Sequence, residues 1–562
     1  MFDDIGKERI HQIIHLLSVD DKSIIDDVED LKQKVNRNFY NLFYLCKTIK
    51  NSNTIAEPID FVLVTLCADS VIEDENVISE NAVMYGLIKG ISREYPLLKF
   101  RYIDVDESSL ENDDLIKEFN AKNQLYNVAY RQNKRYVQEF VAIDIEKEKG
   151  NNVQIKNEGV YVITGGLGGI GLEIAKFIAS KNNVKLVLIN RSKLPDRKLW
   201  SHINESKDEK LYKVIKAIEA IESNGSEVII YSADVSDMDS MTSIVSEIKD
   251  KYGGINGIIH SAGVSGQGFI LEKKEEEINT IFDSKIYGTW VLDKVTEECN
   301  MDFFVLFSSI ATVFTAPGQA DYAAANCYMD SFAVNRNRRG KKTCVIDWVA
   351  WKDTGMAAKN KVNIDTMFKA IKTETAIKAF DCILHKDIER VIVGEMNYGS
   401  KMLNFIDGHF LKISEQIKLR IDAGKKIKSN NTNLTVEAKE VLNAGRDYKE
   451  TEKIIKQVFM DVLGFEDINV NDNFFELGAD SILLSQVYNE LKKIYSGSIN
   501  ITDIFENYTI SKLAAYINES LNPKNEAAPK EKDIEAEISA ALSKMESGEL
   551  SVDNVVEILK KV

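Results

Sequence analysis

Short apolar runs alternate with helix-length amphipathic segments along most of the chain. Between 156 and 400 the alternation is regular, with apolar runs at Val160–Thr164, Lys185–Asn190, Glu227–Ser232, Ile255–His260 and Phe303–Ser308. Buried strands joined by helical crossovers are the rhythm of a doubly wound parallel sheet, so this stretch is expected to be an α/β domain. Residues 1–155 show a looser version, with runs such as Asp60-Phe-Val-Leu-Val-Thr65 and Phe100-Arg-Tyr-Ile-Asp104. From 401 to 447 polar residues dominate, as in Lys425-Lys-Ile-Lys-Ser-Asn-Asn-Thr-Asn433, which predicts a linker. Residues 448–522 carry amphipathic helical repeats and predict a small all-α bundle, followed over 523–562 by a charged gap and a helical tail.

Composition narrows the classes. With 44% hydrophobic and 28% charged residues over 562 positions, the chain reads as several soluble globular domains. It contains no run of about 18 apolar residues, so no membrane span is expected. A formal charge of −17 argues against nucleic acid as a partner, which would require a basic face. The charged opening MFDDIGKERI lacks the apolar stretch of a secretory signal. Cys46, Cys67, Cys299, Cys327, Cys344 and Cys382 are scattered, which predicts a reduced, cytoplasmic protein without structural zinc. His11 and His15 are spaced to share a helical face but have no third ligand, so no metal is expected.

Candidate chemistry begins at Thr164-Gly165-Gly166-Leu167-Gly168-Gly169-Ile170-Gly171, where an apolar run meets a helical segment starting by Leu172. Glycines there permit a tight turn and bring backbone amides near a pyrophosphate at the positive helix end, the pattern of a Rossmann-type dinucleotide site. The next run ends in Asn190, Arg191 and Ser192 rather than in an acid. A guanidinium suits a ribose 2′-phosphate, so NADPH is expected over NADH. Asp234 and Val235 close the following run beside the adenine, and Ser261, Ala262 and Gly263 the one after, beside ribose and nicotinamide.

Ser309 follows the run Phe303–Ser308, and Tyr322 comes thirteen residues later with Asn326 one helical turn beyond it. Positions i and i+4 share a helix face, so phenol and amide can address one substrate. Together with His260-Ser-Ala-Gly-Val264, Lys285 and Gly318-Gln-Ala-Asp-Tyr-Ala-Ala-Ala-Asn326, these residues resemble the ketoreductases of modular (type I) polyketide synthases, within the short-chain dehydrogenase/reductase superfamily. Most of the superfamily places lysine four residues after the tyrosine; the polyketide reductases resemble this chain in having asparagine there and lysine on an earlier helix. The resemblance implies that Tyr322 is the general acid, that Ser309 hydrogen-bonds the ketone oxygen, that Lys285 lowers the tyrosine pKa and that Asn326 orders the polar network. An untuned phenol, with a pKa near 10, is a poor proton donor.

Two departures leave the hydroxyl configuration open. Ser265-Gly-Gln267 stands where one stereochemical class carries Leu-Asp-Asp, and Phe314 where the other often carries tryptophan. Trp351-Lys-Asp-Thr-Gly-Met356 occupies the place of the family's substrate lid. Gly86, Glu94-Tyr-Pro96 and Arg101-Tyr-Ile-Asp104 resemble the family's truncated structural subdomain, which implies a brace without a cofactor.

Asp472-Asn-Phe-Phe-Glu-Leu-Gly-Ala-Asp-Ser-Ile482 resembles the attachment motif of acyl carrier proteins, which implies covalent 4′-phosphopantetheine on Ser481. The combined expectation is an NADPH-dependent reductase that converts a carrier-bound β-ketoacyl thioester to its β-hydroxyacyl form. Its expected partners are a phosphopantetheinyl transferase and ketosynthase and acyltransferase domains on other polypeptides, since neither nucleophile motif occurs here. The rival reading is a carrier and docking scaffold with a redox-inactive reductase fold; the intact Lys285, Ser309, Tyr322 and Asn326 set argues against it. The tail Ile534–Val562 is expected either to dock a neighbouring polypeptide or to be a disordered appendage.

Overall fold

The computed structural model describes residues 10–521 apart from 20–24, 52–57, 96, 122–126, 204–207, 267, 361–366, 399, 401–402, 404–410, 430–447, 464–467, 473, 475–480, 496–498, 500–502 and 505–506. The tail lies outside the described residues. None of the described helices is long and apolar enough to cross a membrane.

Five strands form the first sheet in sequential order: β1 (Gln12–His15), β2 (Ile59–Leu66), β3 (Leu98–Val105), β4 (Asn127–Arg131) and β5 (Lys134–Val137). The first four are parallel and β5 returns antiparallel. His15 therefore sits on a strand and not on the helical face its spacing from His11 suggests. The edge strand β6 (Glu139–Phe140) leads toward the second half.

The second sheet contains β7 (Val160–Thr164), β8 (Lys185–Asn190), β9 (Glu227–Ser232), β10 (Gly257–His260), β11 (Phe303–Ser309), β12 (Thr343–Trp348) and, after the short β13 (Phe368–Lys369), β14 (Arg390–Val393). Its order is β9-β8-β7-β10-β11-β12-β14, all parallel. The order reverses between β7 and β10, and open α/β sheets bind ligands in the crevice at such a point. Five of these strands match the apolar runs to within two residues; β12 and β14 extend the sheet beyond them.

The two halves meet through helices. Helix Ser79–Glu94 lies against helix Ala320–Arg338 with almost no space between backbones. A Cβ added to Gly86 would sit 2.4 Å from Ala324 Cα, and one on Gly90 only 2.1 Å from Ala320 Cβ. Glycine on one helix and alanine on the other are what this closeness requires. One apolar core runs across the contact, joining Phe39, Phe61 and Leu87 of the first half to Phe282, Ala324 and Tyr328 of the second.

The expected linker over 401–447 needs correction at 411–429, while 430–447 lie outside the described residues. After the short β15 (Glu395–Met396), β16 (Lys412–Ile413) pairs with β6, and helix Glu415–Ser429 buries Ile417 and Ile421 in the second core. Those apolar residues, four apart, pin a polar segment to the second half. Further on, helices Tyr448–Leu463, Ser481–Ile494 and Ile510–Leu521 enclose a separate core in which Phe459 and Phe474 stack at 3.8 Å.

Candidate active site

β7 ends in the glycine turn, and the helix Gly169–Lys181 begins immediately after it, earlier than the apolar pattern suggests. Gly165 holds a left-handed φ of +68°, and a Cβ on Gly171 would meet Gly165 O at 2.4 Å. No side chain caps the helix at Gly168. An uncapped helix start presents backbone amides and positive potential to an anion, so this cradle fits a dinucleotide pyrophosphate.

The neighbouring positions converge on the same crevice. Asn190 Oδ1 accepts from Leu167 N at 3.0 Å and braces the turn. Arg191 and Ser192 are exposed at the end of β8, with the Arg191 guanidinium 4.0 Å from Asp234 Oδ2. Asp234 is otherwise engaged by Ser236, and buried Val235 packs where a Cβ on Gly288 would stand 2.5 Å away. Ser261 Oγ donates to Thr164 O at 2.7 Å, tying β10 to β7 across the switch point. Thr164 Oγ1 and His260 Nδ1 lie 2.6 Å apart, and His260 Nε2 is 2.9 Å from Ser284 O. His260 is thus a satisfied core residue, held neutral because burial pushes its ring down to about 3.

Lys285 stands directly behind this edge. It lies on a π-helical turn, Asp283–Tyr287, in which Gly288 N–H reaches Asp283 O five residues back. Wide turns of this kind recur at functional sites because they re-aim a side chain. The lysine stem passes under Gly263, where an added Cβ would be 2.9 Å from its Cε. Its Nζ donates to Phe307 O at 2.9 Å and lies 5.5 Å from the centre of the Tyr322 ring. Burial pushes the ammonium down to about 8, opposed by Asp330 and Asp347.

Ser309 ends β11, with its Oγ accepting from Ala311 N at 3.2 Å. Tyr322 and Asn326 share one face of helix Ala320–Arg338, and Asn326 Nδ2 donates to Tyr322 O at 2.7 Å. Burial pushes the Tyr322 hydroxyl above its ordinary value, and Ser309 and Asn326 are the groups that pull it back. Asn326 Oδ1 is buried without a hydrogen-bond partner, an acceptor left for a donor within the site. The geometry brings together all four expected chemical residues and the glycine turn.

The sequence pattern did not single out Lys273 and Asp321, a buried ion pair at 2.6 Å next to Tyr322. It also passed over Asp330 and Asp347, the carboxyls that face Lys285. Isolated charged residues read as solvated surface, and only burial distinguishes these. Thr354 and Gly355 of the expected lid lie across the turn, where a Cβ on Gly169 would meet Thr354 Oγ1 at 2.2 Å. Ser481 is the first residue of its helix, while Gly478 and Asp480 lie outside the described residues.

Residues 159–353 match the KR domain family and residues 453–517 the phosphopantetheine attachment site. Polyketide synthase PksL of Bacillus subtilis (strain 168) is 30% identical over 460 residues, covering 78% of this chain and 10% of the relative. The 6-methylsalicylic acid synthase of Aspergillus terreus is 33% identical over 230 residues, covering 41% and 13%. The match thus spans between 8% and 24% of the length of these curated relatives. Among solved structures, a ketoreductase domain from the bacillaene assembly line is 26% identical with a TM-score of 0.54, covering 69% of this chain and 93% of that one. An N-terminal ketoreductase from the macrolactin assembly line shares the fold at 24% identity and a TM-score of 0.57, covering 71% and 76%. Fold and sequence likeness together give this chain a KR domain joined to a phosphopantetheine attachment domain, homologous to the ketoreductases of polyketide synthases.

Proposed function

We propose that the chain reduces a carrier-bound β-ketoacyl thioester to a β-hydroxyacyl thioester with NADPH, the acyl chain riding on 4′-phosphopantetheine at Ser481. The observation that carries this reading is the convergence of Ser309, Tyr322, Asn326 and Lys285 beside an uncapped helix start. Bound in the crevice, NADPH supplies a hydride to the ketone carbon. Ser309 donates a hydrogen bond to the ketone oxygen, and the Tyr322 hydroxyl gives that oxygen its proton. Lys285 places a cationic group over the Tyr322 ring and favours the phenolate left behind. Asn326 presents an open acceptor that orders the polar network around the phenol. Arg191, exposed at the end of β8, pairs with the 2′-phosphate. The partners that follow are a phosphopantetheinyl transferase and condensing and acyl-loading domains.

The test is NADPH oxidation with a β-ketoacyl thioester surrogate, followed by mass spectrometry after phosphopantetheinyl transfer. Tyr322→Phe should lose at least about a hundredfold in kcat, and Ser481→Ala should lose the mass increment. Full activity of Tyr322→Phe removes the assigned mechanism; modification that persists in Ser481→Ala removes the assigned attachment site.

A further inference from the structure

Glu94 has no part in the chemistry proposed above. It is the last residue of helix Ser79–Glu94, in the half without a glycine turn, yet it is only 6% exposed. A buried carboxylate is costly unless its oxygens are satisfied, and here the other half satisfies both. Oε2 accepts from Ile270 N at 2.6 Å and Oε1 from Gly318 N at 2.8 Å.

These amides belong to two loops that border Tyr322. The loop ending at Ile270 leaves the cofactor edge at Gly263, beside the Lys285 stem, and passes over Asp321, which would lie 2.4 Å from a Cβ on Gly266. The other loop joins Ser309 to the Tyr322 helix and touches the first, with Gly268 N 3.4 Å from the position of a Cβ on Gly318. Behind both, Lys273 pairs with Asp321, whose Oδ1 accepts from Tyr322 N at 2.9 Å. Burial pushes Glu94 up to about 8; the two amides and Lys273 oppose this and Asp321 adds to it. Two independent loops therefore converge on one side chain from the opposite half.

We infer that Glu94 is a positioning residue through which the structural half holds the two loops walling the approach to Tyr322, and so sets which face of the ketone is presented. The clause about the ketone rests on the reductase reading above. Ala removes both acceptors, whereas Gln keeps one acceptor oxygen and turns an N–H₂ toward the other amide.

Hydrogen exchange on the full chain reads the clamp without any turnover. Glu94→Ala should speed exchange about tenfold in residues 264–272 and in 314–321, and Glu94→Gln in one of the two, with β7 unchanged. Chiral analysis of the reduced surrogate should show the epimer ratio falling about tenfold and KM rising, with NADPH affinity held. Unchanged loop exchange, or loosening spread over the whole molecule, overturns the clamp. Loosened loops with an unaltered epimer ratio and KM overturn its positioning role. A wild-type chain without turnover removes the reductase reading and the ketone clause with it, while exchange still decides whether Glu94 holds the loops.

Discussion

Replacing Gly90 by alanine probes the contact that joins the two halves. In an open helix interior the change would stabilise by about 1 kcal/mol, since alanine restricts the unfolded chain and favours the helix. Here the new methyl would stand 2.1 Å from Ala320 Cβ and 2.5 Å from Ala320 Cα. Carbon atoms not bonded to one another rest at about 3.5–4.0 Å, so the helices must part by about 1.5 Å. Neither neighbour is the far end of a flexible side chain. Gly86, against Ala324 one turn away, keeps the pair from simply tilting. Overpacking of this kind costs about 1–3 kcal/mol and reverses the intrinsic gain. Because Tyr322 is two residues beyond Ala320, the displacement reaches the phenol, and about 1 Å of misplacement lowers rates by about a hundredfold. Thermal unfolding and steady-state NADPH oxidation should both fall in Gly90→Ala. A variant more stable than wild type with an unchanged kcat refutes the close contact and the transmission argued from it.

Protonation of His260 makes a second test. Burial depresses its folded value to about 3, Lys285 adds to the shift and the Ser284 carbonyl opposes it. The unfolded ring takes a proton near 6.5, so stability is intact above that pH and is lost as the pH falls toward 3; His15, lowered to about 4, acts in the same direction. His260→Asn should therefore be less stable at neutral pH, having lost a partner for Thr164 or Ser284, yet its melting temperature should decline less steeply on acidification. An equally steep decline removes His260 as the titrating group. At the end of β8, Arg191→Ser should weaken NADPH binding by about tenfold to a hundredfold and leave NADH nearly unaffected, read by fluorescence titration. Equal losses for both cofactors place the guanidinium away from the 2′-phosphate.

The strands flanking the switch point are readable because a buried parallel strand needs an unbroken apolar run and the glycine turn has few other uses. Lys285 is different. Its spacing locates it on a helix, but the π turn that aims it depends on the Gly288–Asp283 bond and the approach to Val235, both tertiary. Helix Ala320–Arg338 shows no amphipathic stripe because it is covered on one side by the sheet and on the other by helix Ser79–Glu94. Glu94, Lys273 and Asp321 look like surface charges until burial reveals their partners. Ile417 and Ile421 are hidden by the polar residues around them, so a docked helix reads as linker in the sequence.

The Gly86–Gly90 contact also decides where this protein can be cut. A boundary near residue 150 divides two sheets, but it does not divide two stable bodies. Removing the first half would leave Ala320, Ala324 and Tyr328 facing water, withdraw both acceptors from Ile270 and Gly318, and strip β16 of its partner strand. The second sheet is a dependent partner, and a graft that moves it into another chain must carry the preceding helix Ser79–Glu94 with it. The inheritable unit is the pair of halves, matched at two glycines.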